Sequence, residues 1–170
     1  MVAFRRPKNL KENLVRAKIP PPPPKREKRE IYGMKKCNQV RCEACPYIKE
    51  GKVVKSTYNQ TQVKINSALS CNSTNVVYGL FCNKQNCKKL YIGQTKRPIR
   101  ERLSEYKTSV RTKNKNVIGT HFNGPGHSLE NIELTAVEKV YKKCENVLKK
   151  RESLWIRIFE AEHQGLNDRK

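Results

Sequence analysis

The stretch that decides the fold is VVYGLFCNKQNCKKLYIGQT, residues 76–95. Its two ends, residues 76–81 and 89–93, are rich in β-branched and aromatic side chains, and a polar segment lies between them. This pattern predicts two antiparallel strands joined by a turn. The turn is bracketed by Cys82 and Cys87, which is an unexpected place for two thiols in a hairpin.

Two tyrosines lie on the predicted strands. Tyr78 belongs to the first strand and Tyr91 to the second, so their side chains can be neighbours across the ladder. Gly93 lies just beyond Tyr91, and a glycine in a strand lets a backbone or a ligand approach closely. Tyrosines in strands most often serve half-buried packing, so the pair gains a functional interpretation only together with other residues.

The chain around the hairpin predicts further elements. The segment KVVKSTYNQTQVKI, residues 52–65, has the alternation of a strand pair. The segment RPIRERLSEYK predicts a helix with Pro98 in its first turn, and IELTAVEKV predicts a third strand. Apolar residues recur at helical spacing between Cys144 and Phe159, and we expect the later GLN segment to end that helix.

The last predicted helix carries a glutamate where an apolar side chain is expected. Glu152 lies on the same stripe as Leu148, Trp155 and Phe159. Burying a carboxylate without a partner is costly. Glu152 therefore either faces a cation, a metal or a gap in the surface, or pairs with Arg151 or a lysine at the rim of the core.

The helix after the hairpin places Arg102 and Tyr106 one turn apart, so both can point toward the hairpin. A guanidinium suits a phosphate because its planar fork donates two hydrogen bonds to two oxygens. By itself, however, an arginine on a helix of a basic protein is usually a surface residue.

The cysteines and histidines form two groups that favour metal binding. The chain has seven cysteines and no visible export signal, so we expect reduced thiols, which makes metal sites more probable than disulfides. The first group suits tetrahedral zinc and consists of Cys82, Cys87, His121 and His127. The alternative is two unpaired thiols and two loop histidines.

A second zinc site would be all-thiolate, with a two-stranded insert between its ligands; it consists of Cys37, Cys42, Cys45 and Cys71. Such a segment, flanked by Lys and Arg, would add a second contact to nucleic acid. Cys144 is left over, and its place on the apolar stripe predicts a buried thiol.

Charge indicates the partner. Lys and Arg number 37 against 15 Asp and Glu, a net charge of +22. Residues 1–30 form a basic, Pro-rich connector with ten basic and three acidic side chains, so most of the excess lies on the body of the chain. Nucleic acid is the expected partner. We expect no membrane contact, because no apolar run approaches about 18 residues and no basic amphipathic helix has a broad Trp/Leu/Phe face. We also expect an intracellular, nuclear protein.

The order of these residues resembles the GIY-YIG nuclease family. VVY at 76–78 and YIG at 91–93 are similar to its two tyrosine motifs, with Val76 and Val77 where the family has Gly and Ile. RLSEY is similar to its helix motif, with Arg102 as the arginine and Tyr106 where the family carries Tyr or His. Glu152 and Asn167 match its later glutamate and asparagine.

The resemblance covers residues 73–170 and implies a fold and a reaction. The fold would be α+β, a small domain with a central three-stranded antiparallel sheet flanked by helices, a zinc-stabilised insertion and a Cys-rich N-terminal extension at 31–72. The reaction would be hydrolysis of a DNA phosphodiester with Mg²⁺ or Mn²⁺ bound by Glu152.

The resemblance also implies a role for each remaining site residue. Tyr78 would orient or deprotonate the attacking water, with nearby Arg102 favouring its phenolate. Arg102 would stabilise charge on the phosphate, and Tyr91 would support the water or the phosphate. Asn167 would position Tyr78 or the substrate backbone.

Within the family, the chain is similar to the endonuclease domain of Penelope-like retroelements. The similarity lies in the Cys82 and Cys87 pair, the THFNGPGHS loop at 120–128 and the upstream cysteines. It implies a reverse transcriptase domain of the same polyprotein as a partner, target nicking to prime reverse transcription, and RNA as a second ligand of the basic arm. The rival hypothesis is a zinc-stabilised nucleic-acid-binding module without catalysis.

Overall fold

The computed structural model describes residues 32–141 and 144–167. The strands are β1 (Gly33–Lys35), β2 (Val53–Lys55), β3 (Gln62–Lys64), β4 (Ala68–Ser70), β5 (Val76–Cys82), β6 (Leu90–Thr95) and β7 (Ile132–Lys139). The α-helices are α1 (Ile99–Arg111), α2 (Val117–Phe122) and α3 (Glu145–Ile158). The basic connector predicted over residues 1–30 lies outside the described residues.

The centre of the protein is an antiparallel sheet with the strand order β6-β5-β7. The hairpin predicted from residues 76–95 forms β5 and β6. Every residue of β5 is buried, which explains its nearly continuous apolar sequence. A register shift between Val77 and Tyr78 marks a bulge facing β7, and bulges change the direction in which a side chain points.

Helix α1 begins directly after Pro98 and buries one stripe of side chains, Ile99, Leu103, Tyr106 and Val110. Together with α3, which packs on β5 and β6, it gives the mixed α/β fold with an antiparallel sheet that the sequence predicts. In the described part of the chain, no helix is both long and apolar enough to cross a membrane.

Two details of α3 differ from expectation. The helix begins at Glu145, so Cys144 lies in extended backbone before it and its thiol is exposed; the prediction of a buried thiol is wrong. The helix also ends at Ile158, before the GLN segment, because Glu160 adopts a left-handed backbone with φ +55°. The apolar stripe itself is as predicted, with Leu148, Trp155 and Phe159 buried.

The Cys-rich segment forms two small sheets, a parallel pair of β1 with β4 and an antiparallel pair of β2 with β3. It is joined to the rest of the protein at several points. The Lys49 amide donates to the Leu134 carbonyl in β7 at 2.9 Å. The buried Lys107 of α1 forms an ion pair with Glu43 at 2.7 Å. The segment therefore packs on both the sheet and α1.

Candidate active site

Three tyrosines meet on one face of the sheet. Tyr78 lies opposite Gly93 in the β5–β6 register, and Tyr91 lies opposite Leu80, so both tyrosines point to the same side. Tyr106 of α1 packs edge-on against both, with ring centroids 6.3 Å from Tyr78 and 6.1 Å from Tyr91. The absence of a side chain at Gly93 makes room for the hydroxyl end of Tyr78.

The hydroxyl of Tyr78 is held by two neighbours on α1. It shares a hydrogen bond of 2.6 Å with the hydroxyl of Tyr106 and accepts one of 3.0 Å from Nε of Arg102. The Arg102 guanidinium also lies 4.8 Å from the centroid of the Tyr106 ring, a cation–π contact. The one-turn spacing of Arg102 and Tyr106 thus brings both to the hairpin, as the sequence predicts.

Burial governs the protonation of these tyrosines. It raises the pKa of Tyr78 to about 12, although the positive charge of Arg102 lowers that pKa in part. Burial also raises the pKa of Tyr106. Arg102 therefore favours the Tyr78 phenolate as expected, but the desolvation of the hydroxyl outweighs the charge of the guanidinium and the pKa is raised overall.

Glu105 is a site residue that the sequence reasoning missed. Its carboxylate accepts a hydrogen bond of 2.6 Å from Nη1 of Arg102 and another from Arg97. These contacts, partly offset by burial, lower the pKa of Glu105, so it remains a carboxylate at neutral pH. The i,i+3 spacing from Arg102 is the sequence signal that indicates this pair.

A cleft of about 370 Å³ opens beside these groups. Tyr91, Arg102 and Tyr106 form one wall, and α3 contributes Glu152. The remaining lining comes from the start of α2, from α3 and from the C-terminal turn, namely Asn116, Val117, Ile118, Ser153, Ile156, Glu162, Leu166 and Asn167. The cleft therefore joins side chains that are far apart in the chain.

Glu152 is half-buried in this cleft, although its neighbours on the helical stripe are core residues. Arg151, the pairing partner considered from the sequence, instead donates to Glu138 at 2.7 Å. The Glu152 carboxylate in an open cleft fits Mg²⁺ or Mn²⁺, because these hard cations keep several water ligands when protein oxygens are few.

Asn167 lies at the cleft and binds the backbone of β6. Its amide donates to the Ile92 carbonyl at 2.7 Å, and its side-chain oxygen accepts from the Ile92 amide at 2.8 Å. Ile92 lies between Tyr91 and Gly93 in the strand. These bonds place Asn167 as an anchor of the strand that carries Tyr91.

The first metal group lies at the turn between β5 and β6. The ligand atoms of Cys82, Cys87, His121 and His127 all lie within 4.8 Å of one another. Cys87 Sγ lies 3.7 Å from Nε2 of His121, close to the ligand spacing of a tetrahedral zinc site with bonds of about 2.0–2.3 Å.

Both histidines of this group have a ring nitrogen available for a metal. Nδ1 of His127 donates to the Pro125 carbonyl at 3.1 Å, which leaves Nε2 with its lone pair. That Nε2 is buried and has no hydrogen-bond partner among the described residues. Burial, with the nearby His127, Lys89 and Lys84, lowers the pKa of His121. The donor set therefore fits zinc.

The second metal group is all-thiolate. The sulfurs of Cys37, Cys42, Cys45 and Cys71 lie within 4.8 Å of one another, and Cys45 Sγ is 3.5 Å from Cys37 and 3.7 Å from Cys71. These separations exceed a disulfide bond of about 2.05 Å and match the edge of a tetrahedron of thiolates around zinc. The fold thus brings together the four ligands of each predicted group, and each group could hold zinc.

The comparison with protein families places the chain in the nuclease class. The family model "GIY-YIG catalytic domain" matches residues 74–167, which is more than half of the chain, and the protein belongs to this family. It is therefore a DNA endonuclease, and the rival hypothesis of a module without catalysis is set aside. No curated protein matches the chain.

One solved structure, "Structure of the Catalytic Domain of Homing Endonuclease I-TevI", is similar to this protein at 20% sequence identity. The match covers 56% of this chain and 98% of that one, with a TM-score of 0.46.

Proposed function

We propose that the protein cleaves DNA at the cleft beside Tyr78, with Glu152 holding a divalent cation, Mg²⁺ or Mn²⁺. The observation that carries the proposal is the convergence of tyrosine rings, a guanidinium and a carboxylate from β6, α1 and α3 at one cleft, where the guanidinium also donates to the buried Tyr78 hydroxyl of β5. When bound, the cation would stabilise charge on the phosphate and acidify a water.

The protein groups divide the remaining work. Tyr78 stays protonated at neutral pH because of its raised pKa, so it does not deprotonate the attacking water. It is fully buried, and its hydroxyl instead holds Arg102 and Tyr106, which line the cleft. Arg102 is partly exposed to the cleft and stabilises the charge that develops on the phosphate oxygens. Nη1 of the Arg102 guanidinium donates to Glu105, and this hydrogen bond fixes the orientation of the guanidinium.

Three further residues support this arrangement. Tyr106 shares the hydrogen bond that holds the Tyr78 hydroxyl in place. Tyr91 lines the cleft and supports the water or the phosphate. Asn167 holds β6 at Ile92, next to Tyr91, and so positions the strand.

In this proposal the two metal groups have a structural role and take no part in the reaction. Zinc at the first group would connect the β5–β6 turn, through Cys82 and Cys87, to α2 through His121 and to the loop that follows α2 through His127. Zinc at the second group would hold the Cys-rich segment against α1, because the Arg100 amide at the start of α1 donates to the Cys71 carbonyl at 2.9 Å.

The finer part of the proposal concerns a retroelement. The Cys82 and Cys87 pair, the THFNGPGHS loop and the upstream cysteines support a Penelope-like endonuclease that nicks target DNA in the nucleus to prime reverse transcription. A reverse transcriptase domain of the same polyprotein would be its partner, and the basic arm at 1–30 would contact RNA. A nick on one strand is then expected before a double-strand break.

The test is the cleavage of supercoiled plasmid by the purified, zinc-loaded chain with Mg²⁺. We expect Glu152→Gln and Arg102→Ala to lower the nicking rate by at least about 100-fold, since each removes charge stabilisation at the transition state. Glu162→Gln is the matched control, because it removes one negative charge from the same cleft and should change the rate less than about 3-fold.

Nicking by Glu152→Gln at the parent rate would contradict the assignment of the metal ligand. Equal losses in Glu152→Gln and Glu162→Gln would show that the charge of the cleft matters and not one ligand. A linear product that appears before the relaxed circle would contradict the retroelement role but not the cleavage site.

A further inference from the structure

The tip of the β2–β3 hairpin, residues 56–61, reaches the C-terminal turn that borders the cleft. Asn59 Nδ2 donates to the Ile158 carbonyl at 3.2 Å and to the Glu160 carboxylate at 3.3 Å. The hydroxyl of Tyr58 donates to the Gln164 carbonyl. The hairpin lies in the Cys-rich segment, so these bonds join that segment to the turn that borders the cleft.

The hairpin tip is ordered by its own hydrogen bonds. The Ser56 amide donates to the Thr61 carbonyl at 2.9 Å, and Ser56 Oγ accepts from the amides of Tyr58 and Asn59. Asn59 Oδ1 accepts from the Thr61 amide at 3.1 Å. The amide group of Asn59 is therefore held in one direction, with its NH₂ aimed at the end of α3.

The carbonyls that the tip binds need partners. The last carbonyls of a helix have no partner within the helix, and Ile158 is the final residue of α3. Glu160 follows in a left-handed conformation that is costly for a residue other than glycine. Asn59 contacts both residues, so it stabilises the place where the chain leaves α3 and turns toward the cleft.

The other side of the same turn rests on β6. The Leu166 amide donates to the Leu90 carbonyl at 2.8 Å, and Lys89 Nζ donates to the Gln164 carbonyl at 3.0 Å. Asn167 then binds both backbone groups of Ile92. The turn is thus held between the hairpin tip and the strand that carries Tyr91.

We propose that Tyr58 and Asn59 are positioning residues for DNA cleavage, which rests on the proposed function above. They fix the segment 158–167, and through Asn167 this segment sets β6 and one wall of the cleft. The Cys-rich segment therefore contributes to catalysis by holding the cleft, in addition to any contact with nucleic acid.

The decisive variant is Tyr58→Phe combined with Asn59→Ala in the zinc-loaded full chain. In single-turnover nicking with protein in excess, we expect the rate constant to fall about 5- to 20-fold, since small misplacements of a catalytic group are costly. The dissociation constant for a DNA duplex should stay within about 2-fold of the parent value. Gln60→Ala, in the same loop and exposed, is the matched control and should change neither quantity.

A double-mutant cycle separates positioning from general destabilisation. In a chain that already carries Asn167→Ala, adding the same hairpin changes should lower the nicking rate by a further factor of less than about 2. The reason is that the contact between Asn167 and β6, through which the hairpin acts, is already lost. Amide hydrogen exchange should show lost protection at Leu166 and Asn167 while β5 stays protected.

An unchanged rate in the hairpin variant refutes the proposal, and so do losses that multiply with Asn167→Ala. If the double change unfolds the sheet, Tyr58→Phe alone, which keeps the ring, should slow nicking by at least about 3-fold, and the parent rate would again refute it. Failure of the proposed function is distinct, because then the parent would not nick or Glu152→Gln would nick equally well.

Discussion

Replacing Gly93 by alanine tests the geometry of the cleft most sharply. A β-carbon at Gly93 would lie 2.7 Å from the hydroxyl oxygen of Tyr78 and 2.7 Å from Cε1 of Tyr91. Atoms in folded proteins do not pack this closely, so one or both rings must move. Movement of Tyr78 disturbs its bonds of 2.6 Å to Tyr106 and 3.0 Å to Arg102.

The magnitude follows from two separate effects. Overpacking a buried site lowers the free energy of unfolding by about 1–3 kcal/mol. A displacement of about 1 Å at a reacting group lowers the rate on the order of 100-fold. We therefore expect Gly93→Ala to remain folded at 25 °C, as checked by thermal denaturation, and to nick supercoiled plasmid roughly 100-fold more slowly in single-turnover assays.

Gly79→Ala is the matched control for this experiment. Its β-carbon would lie 2.7 Å from Cε2 of Phe81, on the opposite face of the same hairpin, so it overpacks the core without touching the tyrosines. It should lose similar stability and keep activity within about 3-fold. Activity of Gly93→Ala near the parent value, or equal losses in the two variants at equal stability, would refute the reasoning.

Three further predictions concern protonation and zinc. Because the pKa of Tyr78 is raised to about 12, Tyr78→Phe should slow nicking by the same factor across about pH 6.5 to 9; a factor that grows tenfold per pH unit would identify the phenolate as the active form. Metal analysis should give two zinc equivalents per chain, and His127→Ala should lose one while retaining the other; a single equivalent in the parent contradicts one of the two groups. Cys144→Ser should leave zinc content, stability and nicking unchanged, because the thiol is exposed and apart from both groups; a lost equivalent would show that Cys144 is a ligand.

The hairpin and its motifs were predictable because they are local. Strand propensity and the polar turn define β5 and β6, and the helical spacing after Pro98 defines α1. Once β5 and β6 pair, the register places Tyr78 and Tyr91 on one face without further information. The spacing of cysteines and histidines likewise indicated two metal groups, since few other functions need that donor set.

Protonation was not predictable, because it depends on how much water the fold removes. The sequence shows an arginine one turn from Tyr106 and suggests a charged neighbour for Tyr78. Only the packing shows that Tyr78 is fully buried and that desolvation outweighs the guanidinium. The exposure of Cys144 was not predicted either. The sequence did not define the first residue of α3, and because the helix begins at Glu145, Cys144 lies just before it.

Contacts between residues far apart in sequence were not predictable either. Asn167 was predictable as a site residue from its motif, but its bonds to the backbone of Ile92 depend on where the C-terminal turn packs. The contacts of Tyr58 and Asn59 with that turn join segments about a hundred residues apart, and no periodicity or motif indicates them.

The sequence by itself determined the identity of the chemical groups and the elements that carry them, because propensity, periodicity and ligand spacing act within a few residues. The tertiary structure decided which of these groups meet, how dry their surroundings are, and that the Cys-rich hairpin holds the turn beside the cleft. These properties arise from contacts between distant segments and from the exclusion of water, and both exist only once the chain is folded.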